Sequence, residues 1–219
     1  AFDEGVGRHF EMDWHISFAN RRPRMAIFVS KHDHALMELL WRWQRGELRA
    51  DIPLVISNHD ALRAEVERFG VRFEHVPFSR DSQPGDEAKI LELLADQADF
   101  LVLARFMRIL SGDFVSHYPH RIINIHHSFL PAFAGADPYQ QAYDKGVKLI
   151  GATSHYVTKD LDEGPIIDQD VARVSHRDEV DDLKRMGRDL ERQVLARAVR
   201  CHLEDRILIH GNKTLVFNP

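Results

Sequence analysis

The chain has 219 residues, 44% of them hydrophobic and 29% charged, enough for a sizeable buried core without disulfide or metal staples and far from a disordered composition. Lys plus Arg number 29 against 34 Asp plus Glu, a net charge of −5 with a pI near 6.3. That balance excludes the basic footprint of a nucleic-acid or anionic-membrane binder and points to small-molecule or protein partners. The single cysteine, Cys201, cannot close an intramolecular disulfide. Its place in a helical apolar pattern predicts a buried thiol, and the expected compartment is the cytoplasm.

Residues 1–20 carry scattered Phe and Trp without room for a domain and read as the remnant of something longer; the first residue is Ala. The basic stretch Arg21-Arg22-Pro23-Arg24 suits a linker, because Pro biases its predecessor toward extended backbone and the charges keep the chain solvated. From Met25 onward, apolar runs alternate with helical patterns. Ala26–Ser30, Ile52–Ser57, Phe100–Ala104 and Arg121–Ile125 read as strands buried on both faces, with a shorter run at Val71–Phe73. Leu36, Leu39, Leu40 and Trp43 mark a helix that Gly46 would cap, and Ala61–Phe69 and Glu87–Gln97 mark two more. This alternation predicts an α/β fold: a Rossmann-like open, mostly parallel sheet with helices on both faces. Lys148–Val157 and Pro165–Val174 are too close for a crossover helix, so they predict an antiparallel extension in the second half. Val180, Leu183, Met186, Leu190 and Val194 line one face of a long helix, and a hairpin around Gly211-Asn212 closes the chain. No run is long and apolar enough to span a membrane.

Ligands of open parallel sheets bind beyond the carboxyl ends of the strands. The first such turn, Ser30-Lys31-His32-Asp33-His34, has no glycine to let backbone N–H groups close on a phosphate, which disfavours a dinucleotide site. His32 and His34 could form a metal pair, but a polar surface turn is the plainer expectation. Farther on, the two-residue period of a strand places Asn124 and His126 on one face at the ligand-binding end. Their N–H groups aimed at one point would stabilise an oxyanion; a strand-capping Asn beside a core His fits the same spacing. The turn Asp160-Leu161-Asp162-Glu163-Gly164 offers a carboxylate able to orient or deprotonate water, or simply a solvated acidic turn. No HExxH motif or suitably spaced Cys/His set is present, so no metal is expected.

The segments Leu103–Ser111, Ile123–Phe133 and Gly151–Gly164, in this order and spacing, resemble the folate-dependent formyltransferase family that includes glycinamide ribonucleotide formyltransferase. Within it, the chain is similar to the hydrolytic branch, which converts 10-formyl-tetrahydrofolate to formate and tetrahydrofolate. The resemblance implies that Asn124, His126 and Asp162 are catalytic. It also implies that Phe106, Met107, Arg108, Ile109 and Leu110, with Val157, Leu161 and a supporting His155, bind the folate. Residues 23–219 would be the catalytic domain, and residues 1–22 the remnant or linker of a missing N-terminal regulatory domain. The implied partners are a folate substrate and water, in a homo-oligomer without nucleic acid, membrane or cofactor. The released formate would supply purine biosynthesis and balance the one-carbon folate pool. Where the transferases hold an acceptor phosphate with a glycine-rich turn after the first strand, this chain has Ser30–His34, which leaves water as the expected acceptor.

Overall fold

The structure is a computed structural model that describes residues 2–12, 14, 16–18, 20–78, 83–131 and 138–217. Ala132 and Phe133 of the second motif lie outside the described residues. Strands β1 (Met25–Val29), β2 (Leu54–Ser57), β3 (Arg72–His75), β4 (Phe100–Leu103) and β5 (Ile122–His126) pair in parallel in the order β3-β2-β1-β4-β5. Strands β6 (Leu149–Tyr156) and β7 (Ile166–Arg173) continue the sheet antiparallel beyond β5. The continuous apolar runs of β1, β2 and β4 are buried throughout, as expected of central strands covered on both sides.

Two cores account for that coverage. On one face, Ile27, Val55, Val102 and Ile123 pack under α1 (His34–Gln44), α2 (Arg63–Glu67), α5 (Pro138–Asp144) and α6 (Val180–Leu203). On the other, Phe28, Ile56, Leu101 and Ile122 pack under α3 (Gln83–Leu94) and α4 (Gly112–Ser116). Gly46, at φ +77°, follows the last turn of α1 and donates to the Trp43 carbonyl, as the predicted cap requires. Helix α6 opens with a capping box between Glu179 and Asp182 and carries Arg200 in its last turn, charges that suit its dipole at both ends. The closing hairpin, β8 (Ile207–His210) and β9 (Lys213–Val216), turns at Gly211 with φ +58°.

Helices α4 and α5 have no counterpart in the sequence reading, because elements of one or two turns are too short to display a helical period. The third helix begins at Gln83 rather than Glu87, and the short run at Val71–Phe73 pairs over Arg72–His75. Cys201 is half-buried rather than buried; its partial burial pushes the thiol up, which keeps it protonated at neutral pH. Among the described residues, no helix is long and apolar enough to cross a membrane.

Where β6 meets the end of α6, the Tyr156 hydroxyl donates to Nδ1 of His202 at 2.9 Å, and Phe100 lies with its ring centroid 4.6 Å from the imidazole. Burial pushes His202 down to about 4, so the unfolded chain takes up a proton near pH 6.5 that the folded chain refuses. Stability contributed at this site is therefore lost as pH falls from about 6.5 to about 4. His202→Gln keeps an acceptor for Tyr156 but cannot titrate, and it should flatten the fall in melting temperature across that window. Calorimetric scans of both proteins at pH 7, 5.5 and 4.5 check this.

Candidate active site

Asn124 and His126 project from β5 on one face, and the antiparallel register sets His155 of β6 opposite Asn124. Asn124 Nδ2 lies 3.2 Å from His155 Nε2, while Nδ1 of His155 donates to the Tyr156 carbonyl at 3.0 Å. With Nδ1 thus donating, Nε2 is the ring nitrogen of His155 left to accept from Asn124.

That carboxylate is Asp162. Its Oδ2 lies 3.3 Å from Nδ1 of His126, and its Oδ1 3.5 Å from Nε2 of His155. The chain after β6 folds back over the sheet to bring it there. Val157 N donates to the Ile122 carbonyl, Tyr156 N to the Pro165 carbonyl, and Asn212 Nδ2 to the Glu163 carbonyl from the closing hairpin. Two residues make the reversal possible. Asp162 takes a left-handed conformation at φ +56°, and Gly164 lies so close to the Tyr156 carbonyl that a Cβ there would collide with its oxygen. Burial alone would raise the Asp162 carboxyl, but the hydrogen bonds and charges of His126 and His155 outweigh it and hold it well below the usual carboxylate range. Nε2 of His126 is buried and has no hydrogen-bond partner among the described residues.

The predicted folate residues divide by exposure. Phe106 and Leu110 are core anchors: the Phe106 ring meets Phe28 edge-on at 5.4 Å and Phe78 at 5.8 Å. Between them Met107, Arg108 and Ile109 stand in solvent, with Met107 and Ile109 exposing apolar side chains. Met107 N donates to the Ser30 hydroxyl, and Gln83 Nε2 to the Ile109 carbonyl, so the backbone of this loop is pinned at both ends. Leu161 is exposed and Val157 packs on the core below. The two loops adjoin where Gly112 faces Lys159.

A second polar cluster occupies the opposite face of the sheet at the same edge. Glu191, 1% exposed, accepts from the Tyr139 hydroxyl at 2.8 Å and lies 2.8 Å from His34 Nε2 and 3.4 Å from Arg105 Nε. Burial alone would raise Glu191; the hydrogen bond to His34 and the charge of Arg105 bring it below its usual range. His127 stands between the two groups, with its ring centroid 5.1 Å from that of His126 and 6.3 Å from that of Tyr139. Burial, helped by the charge of Arg105, pushes it down to about 4. The expectation of a plain surface turn therefore needs correction at His34: Lys31 and His32 are exposed, but His34 begins α1 and turns inward to the carboxylate. Sequence reasoning missed Arg105, Tyr139 and Glu191. The available signal was Glu191 itself, an acidic residue among Gly187, Leu190 and Val194 on the buried stripe of α6.

The doubly wound sheet brings Asn124 and His126 at one strand end together with Asp162 from the loop after β6, and similarity to known proteins gives the class to which this architecture belongs. Residues 23–199 match the family described as Formyl transferase. The glycinamide ribonucleotide transformylase 1 of Symbiobacterium toebii superimposes with a TM-score of 0.84 at 32% identity, over 94% of this chain and 99% of that one. Similarity to another group is greater. The formyltetrahydrofolate deformylase of Bacillus subtilis is 58% identical over 97% of this chain and 71% of its own length. The crystal structure of a formyltetrahydrofolate deformylase from Pseudomonas syringae pv. tomato matches with a TM-score of 0.96 at 50% identity, covering 99% of this chain and 73% of that one. The chain belongs to the formyltetrahydrofolate deformylase family.

Because Gly164 sets the reversal that carries Asp162, Gly164→Ala should push the loop off β6. Deformylation should fall by about a hundredfold, the scale of a displacement near 1 Å at a reacting centre, with a lower melting temperature. Steady-state rates and calorimetry on the same preparation check it; a fully active alanine variant would free the loop from this constraint.

Proposed function

We propose that Asn124, His126 and Asp162 remove the formyl group of 10-formyl-tetrahydrofolate with water as acceptor, releasing formate and tetrahydrofolate. Tetrahydrofolate is thus a product rather than a cofactor. One observation carries the assignment: His126 has its Nδ1 engaged by Asp162 while its Nε2 is buried and unengaged, on the strand face it shares with Asn124.

With Nδ1 of His126 held by Asp162, a protonated Nε2 donates to the formyl oxygen as negative charge develops there. The Asn124 amide has two N–H bonds; one is occupied by His155, and the other completes the oxyanion site. Water oxygen bonds to the formyl carbon, and the water proton passes toward Asp162. The carbon–nitrogen bond breaks as Nε2–H of His126 delivers its proton to the leaving nitrogen. Asp162 is a weak base while His126 is charged. As His126 gives up its proton, the restraint on the carboxylate falls and its basicity rises within the same step. The exposed apolar side chains of Met107, Ile109 and Leu161, on loops whose backbones are pinned, suit one flat face of a pterin. His155 has a supporting role, holding Asn124 and Asp162 in their mutual orientation.

Asn124→Ala should lower the rate of formate release by about a hundredfold, the usual effect of losing one oxyanion donor, with little change in melting temperature. Asp162→Asn should nearly abolish turnover while sparing folate binding, since the amide matches the carboxylate in size but cannot take a proton. Formate production and equilibrium folate titration on both variants check the assignment. Retained rate in either would remove that residue from the chemistry.

A further inference from the structure

The catalytic groups found here can serve an amine as well as water, so something else must select the acceptor. The strand order β3-β2-β1-β4-β5 reverses between β1 and β4, and the carboxyl-end crevice at such a reversal is where doubly wound sheets admit ligands. Arg105 leaves β4 there, and its carbonyl accepts from Ser30 N, the residue just past β1. The last parallel pair of β4 and β5 joins Leu103, two residues before Arg105, to Asn124, two residues before His126.

Arg105 is an unusual occupant. Its backbone is left-handed, φ +64°, a conformation that favours glycine, and its side chain is nine-tenths buried. Nε and Nη1 are buried without a hydrogen bond among the described residues, although Glu191 lies 3.4 Å from Nε. Backbone strain together with unsatisfied buried donors opposes stability, and such a combination persists where it has a use. Arg105, Tyr139 and His34, gathered on Glu191, and His127 beside them, fill the volume on the α6 side of His126.

We propose that Arg105 determines the acceptor: its side chain occupies the crevice through which a primary amine would approach the formyl carbon, leaving entry to water. The proposal rests on the deformylase reading above. If the crevice were open, the amine nitrogen would bond to the formyl carbon and lose a proton. The leaving nitrogen would gain one as its bond to carbon breaks, giving a formamide in place of formate.

Arg105→Gly suits the left-handed backbone, and Arg105→Asn is a second variant that tolerates it. Each is incubated with 10-formyl-tetrahydrofolate and excess glycinamide, and formate and N-formylglycinamide are quantified by NMR. The ratio of the two products does not depend on how much protein is folded. Wild type should give formate almost alone, and the glycine variant should raise the formamide share by about tenfold or more. An unchanged share in both variants overturns the proposal, as does substantial formamide from wild type. Saturation-transfer NMR with glycinamide alone needs no turnover: binding is expected in the glycine variant and not in wild type, and equal binding overturns the proposal. Wild type releasing no tetrahydrofolate would instead count against the deformylase reading, and the binding measurement would still decide the role of Arg105.

Discussion

To stand between His126 and His155, Asp162 must come from a chain that leaves β6 at the wrong end of the neighbouring strand. Because β5 and β6 are antiparallel, Tyr156 finishes beside Ile123, whereas the carboxyl end of β5 is at His126. Residues 157–164 therefore double back across the sheet, and they do so with a left-handed Asp162 and a glycine pressed against the Tyr156 carbonyl. The carboxylate offsets that local strain by engaging Nδ1 of His126, with Nε2 of His155 3.5 Å away, in a partly buried site where an unpaired charge would be costly. The electrostatics of the site follow from this one placement.

The sheet keeps two kinds of polar chemistry apart. On the face of α3 and α4, Asn124, His126 and Asp162 sit beside loops that expose Met107, Ile109 and Leu161. On the face of α1, α5 and α6, Glu191 gathers His34, Tyr139 and Arg105 into a buried cluster. The boundary between them is the step from His126 to His127, where successive residues of an extended chain point to opposite sides. His126 keeps a buried Nε2 without a hydrogen-bond partner among the described residues. His127 is pushed down to about 4 by burial and stays neutral, so it adds no second charge beside the first.

Rigidity is supplied from beneath. The Ser30 hydroxyl donates to Asn58 Oδ1 at 2.6 Å and accepts from Met107 N, tying the ends of β1 and β2 to the loop after β4. The buried Glu87 carboxylate accepts from Ser111 N at 2.8 Å and closes the far end of that loop. Phe106, edge-on to Phe28 and Phe78, fixes its middle. A loop held at three points presents its exposed side chains without a further entropic cost when a ligand binds.

The α/β class, the central strands, the antiparallel extension and the long C-terminal helix were legible in the sequence, because hydrophobic periodicity and strand-length apolar runs are local properties. So was the pairing of Asn124 with His126, a consequence of the two-residue period alone. That Asp162 rather than Asp160 or Glu163 meets them is not local: it depends on the reversal at Gly164 and on the register of β5 against β6. The same holds for His34, which reads as a polar turn residue until α6 brings Glu191 within 2.8 Å of it. Arg105 is the clearest case. Nothing in its neighbours along the chain announces a left-handed arginine, whereas packing β4 between β1 and β5 leaves its backbone and side chain no other place to go. Periodicity along one chain determines which elements form and which face each buries; contacts between residues distant in sequence arise only when those faces close on one another.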